Sequence, residues 1–328
     1  MNVFLTFDYE LFFGSRTGTV DKCMIGPTAE LLGLSRKHNA PMTFFVDIGY
    51  IIRLEQYMDQ HPALQVDHNK VLTQLNEILE SGSDIQLHIH PHWEKTTYDG
   101  LKWNIVTAGC YKLSDFSDAE IERIVTGYKA RLDQITGRSS HTFRAGGWCI
   151  QPFEKLEKIF RQLGLKYDTS VFPGGYFEAG EYAFDFRNAP AKTVYRFQDD
   201  VCIEDANGFF TEYAIGAYRY SPLFYWKLYA LGRLDPASHK MIGDGIFMSQ
   251  PGRKKQVLTH FTWNHASTDG FYVTKMKAIT RQAIKKQQQD LVFIGHPKSA
   301  THYSLKKLDT YLREFGSSCN FKTFSQLR

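Results

Sequence analysis

The sequence lacks the cysteine spacing, the basic runs and the long apolar segments that identify several protein classes. The five cysteines are scattered along the chain: Cys23, Cys110, Cys149, Cys202 and Cys319. None is spaced as C-x-x-C, so we predict neither a disulfide framework nor a cysteine zinc site. No apolar run approaches membrane-spanning length. Asp8 and Glu10 interrupt the N-terminal segment before a signal-peptide core could form, so we expect a cytoplasmic protein.

Charge is also nearly balanced. The chain has 39 Lys and Arg against 35 Asp and Glu, a net charge of +4, and the longest cationic run is residues 253–255. A nucleic-acid-binding protein usually has a larger and more clustered basic excess, so we expect no nucleic-acid partner. Hydrophobic residues make up 43% and aromatic residues 15% of the chain. The first value is typical of a globular protein, and the second suits either an aromatic core or a carbohydrate-facing cleft.

Strand-like and helix-like segments alternate along most of the chain. Strands are predicted at 3–7, 42–46, 85–87, 141–143, 165–167, 257–262 and 291–294, and helices at 27–37, 70–80, 117–137, 153–163 and 273–288. This alternation favours an α/β fold with a mainly parallel sheet.

The alternation breaks at about 176–252. This segment contains a short β-like piece at 209–215 and an aromatic helix at 222–231, but no glycine- or serine-rich linker. We therefore predict a single domain, residues 1–328, with an insertion at about 176–252. Because the insertion is rich in aromatic residues, we expect it to set substrate choice.

Chemically active side chains stand at the ends of the predicted strands. These are Asp8, Asp47, His88, Arg144, Asp168 and His296. In a parallel barrel the carboxyl ends of all strands meet at one rim, so residues that are distant in sequence converge there. We expect Asp47 to be a helix cap, and Asp168 either to bind substrate or to stabilise a turn.

The segment His88-Ile89-His90-Pro91-His92 is the densest group of metal-binding side chains. Neutral imidazoles bind Zn²⁺ and similar ions. His88 and His92 can reach one ion if the chain curls after the strand, which Pro91 favours. His88 and His90 are the competing pair on a straight strand. Nearby, Asp8 and Glu10 offer two carboxylates, one for a metal ion and one for a general base.

Four segments together resemble the ordered motifs of the polysaccharide-deacetylase superfamily (NodB homology, carbohydrate esterase family 4). They are residues 6–10 (Thr-Phe-Asp-Tyr-Glu), 88–92, 144–148 (Arg-Ala-Gly-Gly-Trp) and 294–297 (Ile-Gly-His-Pro). The resemblance covers about residues 1–170 and 255–315. It implies a distorted parallel (β/α) barrel that holds one divalent metal ion through one acidic residue and two histidines.

Carried over position by position, the resemblance implies a role for each matching residue. Asp8 matches the catalytic base and Arg144 the arginine that orients it. Glu10, His88 and His92 match the metal ligands, and His296 matches the general acid. The chain departs from the family pattern twice. Asp-Tyr-Glu stands where adjacent aspartates are common, and Ile89 stands where the family has Ser or Thr.

The expected activity is metal-dependent removal of an acetyl group from an N-acetylated sugar or glycan precursor. The metal is expected to be Zn²⁺, with Co²⁺, Ni²⁺, Fe²⁺ or Mn²⁺ as alternatives. Gly147, Trp148 and Asp168 are the predicted substrate-binding residues, with a backbone N–H near Gly146 or Gly147 completing an oxyanion site. Hydrolysis of another linear or cyclic amide, and glycan binding without turnover, are the alternative functions. His260, Asn264 and His265 form a reserve polar cluster.

Overall fold

The computed structural model describes residues 1–180 and 182–327, and its strands and helices alternate as the sequence predicts. The strands are β1 Asn2–Tyr9, β2 Thr43–Asp47, β3 Asp84–Ile89, β4 Thr97–Tyr98, β5 Trp103–Asn104, β6 Thr142–Ala145, β7 Tyr167–Asp168, β8 Tyr176–Ala179, β9 Tyr182–Asp185, β10 Val194–Phe197, β11 Phe210–Tyr213, β12 Ala217–Tyr220, β13 Thr262–His265, β14 Asp290–Gly295 and β15 Asn320–Lys322. The helices are α1 Gly26–His38, α2 Ile48–Tyr57, α3 Pro62–Glu80, α4 Asp118–Thr136, α5 Glu154–Gln162, α6 Pro222–Leu234, α7 Pro236–His239, α8 Arg253–Thr259, α9 Met276–Lys285 and α10 His302–Phe315.

One main sheet forms a nearly closed, mostly parallel barrel. Its strand order is β10-β11-β7-β6-β3-β2-β1-β14, with β15 also paired to β1. β10 is antiparallel to β11, and the other neighbours on this path are parallel. A single bridge from Ile215 to Val292 connects the segment after β11 to β14, and a bridge from Ser267 to Ile294 connects the segment after β13 to β14. The predicted α/β barrel is confirmed.

The central strands are apolar because both of their faces are covered. β2 and β3 are buried along their whole length, and β1 is buried from its second residue to its last. Strands of a parallel sheet between helices typically read as continuous hydrophobic runs. Polar side chains at their carboxyl ends are therefore placed in a low-dielectric setting by the same packing.

Local sequence signals set several helix ends. Ser117 and Glu120 form a capping box at the start of α4, and Gly137 ends it with a left-handed backbone. Asp47 precedes α2, but its side chain makes no capping hydrogen bond. It accepts a hydrogen bond from the Trp93 indole instead. The expected capping role of Asp47 is therefore corrected to a buried contact with Trp93.

The predicted strand at 257–262 is wrong. Residues 253–259 form α8, and the strand β13 begins only at Thr262. Val257 and Leu258 favour a strand by composition, yet the preceding Arg-Lys-Lys-Gln run consists of good helix formers. Val257 is the buried residue of this helix, and Leu258 packs partly buried beside it.

The predicted insertion contains part of the main sheet. β10 and β11 lie within 176–252 and extend the sheet beyond β7. A second small core, formed by Tyr220, Phe224, Tyr225 and Val257, lies beneath α6 and α8. Among the described residues, no helix combines the length and the apolar character needed to cross a membrane. The division into one domain with an insertion stays a prediction.

Candidate active site

The predicted site residues meet at the carboxyl ends of neighbouring strands. Asp8 lies near the end of β1, His88 in β3 and Arg144 in β6, while His296 follows β14. His88 is paired in register with Arg144 on the adjacent strand. The convergence follows from the parallel topology, which brings all these strand ends to one rim.

Asp8 and Arg144 form a buried ion pair. Arg144 Nη1 donates to Asp8 Oδ1 at 2.7 Å, and neither side chain is more than 6% exposed. Arg144 also donates from Nε to the Thr169 carbonyl (2.9 Å) and from Nη2 to Thr6 Oγ1 (2.8 Å). A guanidinium held at several of its donors is fixed in orientation, and it fixes the carboxylate in turn.

The charges around Asp8 keep its carboxyl group ionised. Burial by itself would raise the pKa of Asp8, but the Arg144 guanidinium, with contributions from His88 and His296, more than offsets burial and lowers the pKa below its ordinary value. Asp8 Oδ2, the oxygen that Arg144 leaves free, lies 3.8 Å from His88 Nε2 and 3.7 Å from His296 Nε2. An unprotonated carboxylate oxygen thus faces both histidines.

A second carboxylate, Glu10, joins two histidines in a cluster of metal-ligand type. Glu10 Oε2 lies 3.1 Å from His88 Nε2 and 2.6 Å from His90 Nε2. One donor atom from each of the three residues lies within 4.8 Å of the others, and within residues 1–180 and 182–327 this is the one such group. His88 Nδ1 donates to the Arg144 carbonyl at 2.8 Å, which directs its Nε2 toward Glu10.

The structure places His90, and not His92, beside Glu10 and His88. The extended backbone continues through His90, and the turn begins only at Pro91. Side chains two residues apart on a strand share a face, so His88 and His90 point the same way. His92 lies in the turn, with its ring stacked on Trp93. The sequence-based choice of His92 over His90 as the second histidine ligand therefore disagrees with the geometry. The backbone stays extended through His90, and the turn that was expected to bring His92 to the ion begins only at Pro91.

The donor set fits a divalent ion. Two imidazoles and a carboxylate are ligands that Zn²⁺ and related ions accept. The three groups are buried, and neither ring nitrogen of His90 makes a hydrogen bond, although its Nε2 lies 2.6 Å from Glu10 Oε2. Burial lowers the pKa of His90 to about 4, so its ring is neutral near pH 7, the form that binds metal.

Lys298 is a component of this site that the sequence reading missed. Its Nζ is 2.7 Å from Glu10 Oε1 and 2.6 Å from the Leu11 carbonyl oxygen, and its side chain is 4% exposed. The ammonium group occupies one oxygen of Glu10 and leaves the other to the histidines. Although burial opposes ionisation, Lys298 and His90 hold the pKa of Glu10 well below its ordinary value. The position of Lys298 two residues after His296 was the available signal.

His296 is oriented by Asp269, a second residue that the sequence reading missed. His296 Nδ1 and its backbone N–H both donate to the Asp269 carboxylate, each at 2.8 Å. Burial would lower the pKa of His296, but Asp269 outweighs it and the pKa is raised. With Nδ1 engaged, Nε2 faces Asp8 and Glu10 at 3.7 and 3.9 Å. An Asp-Gly pair after β13 gave no sequence signal of this contact.

The predicted substrate residues differ in their surroundings. Trp148 is partly buried, has a left-handed backbone (φ 61°) and packs 4.9 Å from the His265 ring. A Cβ atom at Gly147 would lie 2.5 Å from the Tyr111 hydroxyl oxygen, so only glycine fits there. Non-glycine residues with positive φ cluster at functional sites, which supports a substrate role for Trp148.

Asp168 is placed differently from the other predicted substrate residues. It is 2% exposed, it accepts hydrogen bonds from the Ser170 N–H and hydroxyl group, and it accepts one from Glu212. Burial and Asp168 together raise the pKa of Glu212 well above its ordinary value, which keeps a proton on the pair. The contacts assign Asp168 to a buried carboxyl pair that supports β7 and β11, rather than to a surface that meets substrate.

The reserve cluster does not form a site. His260 is exposed and lies 2.7 Å from the hydroxyl oxygen of its neighbour Thr259. Asn264 donates to the hydroxyl groups of Tyr225 and Tyr272. His265, however, packs on Trp148, and burial lowers its pKa to about 3. Of these three residues, only His265 lies beside the rim of strand ends that carries the site.

Parts of 176–252 lie on the same face as the site. Tyr182 packs against Tyr111 beside Gly147, and Phe247 packs on Phe12. Of the aromatic residues in this segment, however, Phe210, Tyr220, Phe224 and Tyr225 are buried in the cores. Packing demand, rather than ligand contact, accounts for these four rings.

The ligand assignment can be tested by metal content. We expect His88→Ala and His90→Ala to weaken zinc binding by more than about 100-fold, since loss of a supporting residue alone costs 10–100-fold. His92→Ala should retain about wild-type zinc, because His92 lies outside the Glu10, His88 and His90 group. Elemental analysis after dialysis measures the stoichiometry, and circular dichroism verifies the fold. Zinc lost from His92→Ala but kept by His90→Ala would restore the ligand set predicted from sequence.

Comparison with known proteins gives a fold but no close relative. No protein-family profile matches the chain, and no curated protein sequence matches it. A solved structure from Mycobacterium smegmatis, described as a polysaccharide deacetylase, matches with a TM-score of 0.51 and 16% identity, over 99% of this chain and 88% of that one. The chain has the polysaccharide-deacetylase barrel fold.

Two other solved structures show more distant likeness. A GH57 branching enzyme from Thermococcus kodakaraensis has a TM-score of 0.49 and 9% identity, over 99% of this chain and 70% of that one. The peptidoglycan deacetylase PdaC from Bacillus subtilis has a TM-score of 0.40 and 12% identity, over 99% and 89%. Similarity at this level carries no functional conclusion, which has to come from the side chains.

Proposed function

We propose that this protein is a metal-dependent amide hydrolase that removes an acetyl group from an N-acetylated sugar. The observation that carries the proposal is the arrangement of Asp8 and His296 around the Glu10, His88 and His90 cluster. Although burial acts against both charged forms, the pKa of Asp8 is lowered and the pKa of His296 is raised, and 3.7 Å separates Asp8 Oδ2 from His296 Nε2. A base and an acid on one side of a metal-ligand cluster are the groups that amide hydrolysis needs.

Glu10, His88 and His90 would hold the metal ion. When bound, it supplies a water of lowered pKa and polarises the acetyl carbonyl group. Asp8 accepts the proton of the attacking water, and Arg144 holds Asp8 in the orientation to do so. His296 donates its Nε2 proton to the departing amine nitrogen, while Asp269 keeps the ring oriented through Nδ1.

Substrate must approach from the side of His296. His296 is 14% exposed, whereas Asp8 and Glu10 are 6% exposed and His88 is 1% exposed. Trp148, packed beside His265, offers an aromatic face at the same rim. Aromatic faces are well suited to the apolar face of a sugar ring, which favours a glycan over a flexible amide.

Acetate release tests the proposed function directly. Zinc-loaded protein should release acetate from N-acetylhexosamine oligosaccharides, and chelator-treated protein should not. Addition of Zn²⁺, Co²⁺ or Mn²⁺ to the chelated protein should restore the activity. Hydrolysis of linear or cyclic ureides without acetate release would replace the sugar substrate with another amide. Binding of oligosaccharide with no product from any of these substrates would make the protein a glycan-binding barrel.

The role of Asp269 predicts a change in pH dependence. Asp269 raises the pKa of His296, so Asp269→Asn should lower that pKa. A general acid acts only below its pKa, and the alkaline limb of the kcat/KM profile should therefore move to lower pH. The profile should be measured with metal-saturated protein. An unchanged alkaline limb, with only a uniform loss of rate, would show that Asp269 does not tune His296.

A further inference from the structure

Helix α6 is apolar on its exposed face as well as on its buried face. Phe224 and Tyr225 are buried against the small second core. The exposed positions recur at helical spacing along one side: Leu223, Trp226, Lys227, Ala230, Arg233 and Leu234. Leu223, Trp226 and Leu234 are 74%, 58% and 82% exposed. A helix that is hydrophobic all round is normally buried on all sides, so this face is expected to meet a second apolar phase.

The surroundings of this face are strongly cationic. Residues 217–260 contain seven Lys and Arg and two Asp, a net charge of +5, whereas the whole chain carries +4. The remainder of the protein is thus slightly acidic. The exposed side of α6 has Lys227 and Arg233 and no acidic residue. The segment with the excess of positive charge therefore also contains the exposed apolar side chains of α6, Leu223, Trp226 and Leu234.

Contacts join α8 to this face. Trp226 Nε1 donates to the Leu258 carbonyl at 3.1 Å, and Lys254 Nζ lies 5.3 Å from the centre of the Tyr229 ring. Lys254 and Lys255 are both exposed. We call the combined patch the α6–α8 surface, formed by Leu223, Trp226, Lys227, Arg233, Leu234, Lys254 and Lys255.

We propose that the α6–α8 surface docks on an anionic lipid bilayer. Leucine and tryptophan side chains flanked by Lys and Arg are the composition of helices that lie in a membrane interface. The leucines enter the acyl boundary, Trp226 lies at the headgroup level, and the cations pair with lipid phosphates. Charge complementarity selects a bilayer over an ordinary protein partner, because Asp235 at the end of α6 is the one acidic residue beside the four cations of the patch.

The α6–α8 surface is close to the rim of strand ends that carries the candidate active site. β12 and β13 form an antiparallel ladder that pairs Tyr220 with Thr262 at one end and Ala217 with His265 at the other. Tyr220 packs beneath α6, while His265 contacts Trp148. Four paired residues span roughly 10 Å. If the proposed function holds, the enzyme acts on a glycan held at a membrane surface, but bilayer binding is independent of that function.

Sedimentation with lipid vesicles tests the proposal. The full-length protein should bind phosphatidylcholine vesicles containing about 25% phosphatidylglycerol, should bind pure phosphatidylcholine weakly, and should dissociate in 0.5 M NaCl. Lys254→Gln/Lys255→Gln should weaken binding by about 10- to 30-fold, since each cation near an anionic surface contributes roughly fivefold. Leu223→Ser/Leu234→Ser should weaken it by at least about tenfold.

Matched controls exist elsewhere on the surface. Lys285→Gln/Lys286→Gln removes an exposed adjacent lysine pair, and Leu101→Ser/Ile203→Ser removes two exposed apolar side chains. Both should bind vesicles like wild type, and circular dichroism should verify all four variants. Equal binding to neutral and anionic vesicles, no binding to either, or equal losses in the controls would overturn the proposal. Self-association that Leu223→Ser/Leu234→Ser abolishes, without vesicle binding, would instead make this face a contact between two copies.

Discussion

Asp8→Asn should lower kcat by about 10²–10⁴-fold, the usual contribution of general acid–base catalysis. Asparagine keeps the size of aspartate and can still accept the hydrogen bond from Arg144, but it cannot take a proton from water. Metal content should stay unchanged, because the ligand cluster is formed by Glu10, His88 and His90. Steady-state rates of acetate release, measured beside zinc content, separate the two effects.

Asp84→Asn is the matched control for Asp8→Asn. Asp84 is also a buried strand aspartate, but it lies at the opposite end of β3 and accepts hydrogen bonds from Gln86 and Ser325. Its variant should keep turnover within a few-fold of wild type. Activity of Asp8→Asn within about tenfold of wild type would remove Asp8 from the role of base. An equal loss in Asp84→Asn would trace the effect to stability instead.

Arg144→Leu should destabilise the protein by about 3–5 kcal/mol. Removal of one partner from a buried ion pair leaves the other charge uncompensated, and here the remaining charge is the Asp8 side chain, which is 6% exposed. The double variant Asp8→Asn/Arg144→Leu removes that charge as well. Its loss of unfolding free energy should therefore be smaller than the sum of the losses in the two single variants, by about 0.5–3 kcal/mol. Urea unfolding at pH 7 measures all three variants.

The loss of stability in Arg144→Leu should also depend on pH. Arg144 depresses the pKa of Asp8, and a depressed carboxyl pKa contributes stability above the unfolded value, about 3.9 for aspartate. This contribution is lost as pH falls through the folded pKa. The difference in unfolding free energy between wild type and Arg144→Leu should therefore become smaller below about pH 4. Arg123→Leu, which breaks an exposed pair with Glu94, should cost under about 1 kcal/mol. A similarly small loss for Arg144→Leu would contradict a buried ion pair.

The active-site residues at the ends of the strands could be predicted from the sequence. Asp8, His88, Arg144 and His296 each follow or end an apolar run, and a parallel sheet brings such positions to one rim whatever the lengths of the connections. The capping box at Ser117 and Glu120 was readable for a similar reason, since both residues lie in one local segment.

Contacts between distant segments were not readable in this way. Asp269 contacts His296 across 27 positions, and Lys298 contacts Glu10 across 288. Local spacing places Lys298 near His296 in the sequence, but it does not reveal either pairing. Asp168 ends a strand as Asp8 does, yet its neighbour on the next strand is Glu212, which turns it into a buried carboxyl pair. The same motif position therefore has different chemistry in different sheet surroundings.

The sequence by itself determined the α/β alternation, the strand ends that carry chemistry, and the presence of a histidine cluster beside two carboxylates, because periodicity and local turn residues encode them. Only the tertiary structure decided that His90 rather than His92 faces Glu10. Side chains alternate between the two faces of a strand, so the point at which the extended backbone ends decides which histidine shares a face with His88. It also decided that α6 keeps an apolar exposed face. Burial is a property of what packs against a helix, and the sequence of a helix does not state which of two apolar faces will be covered.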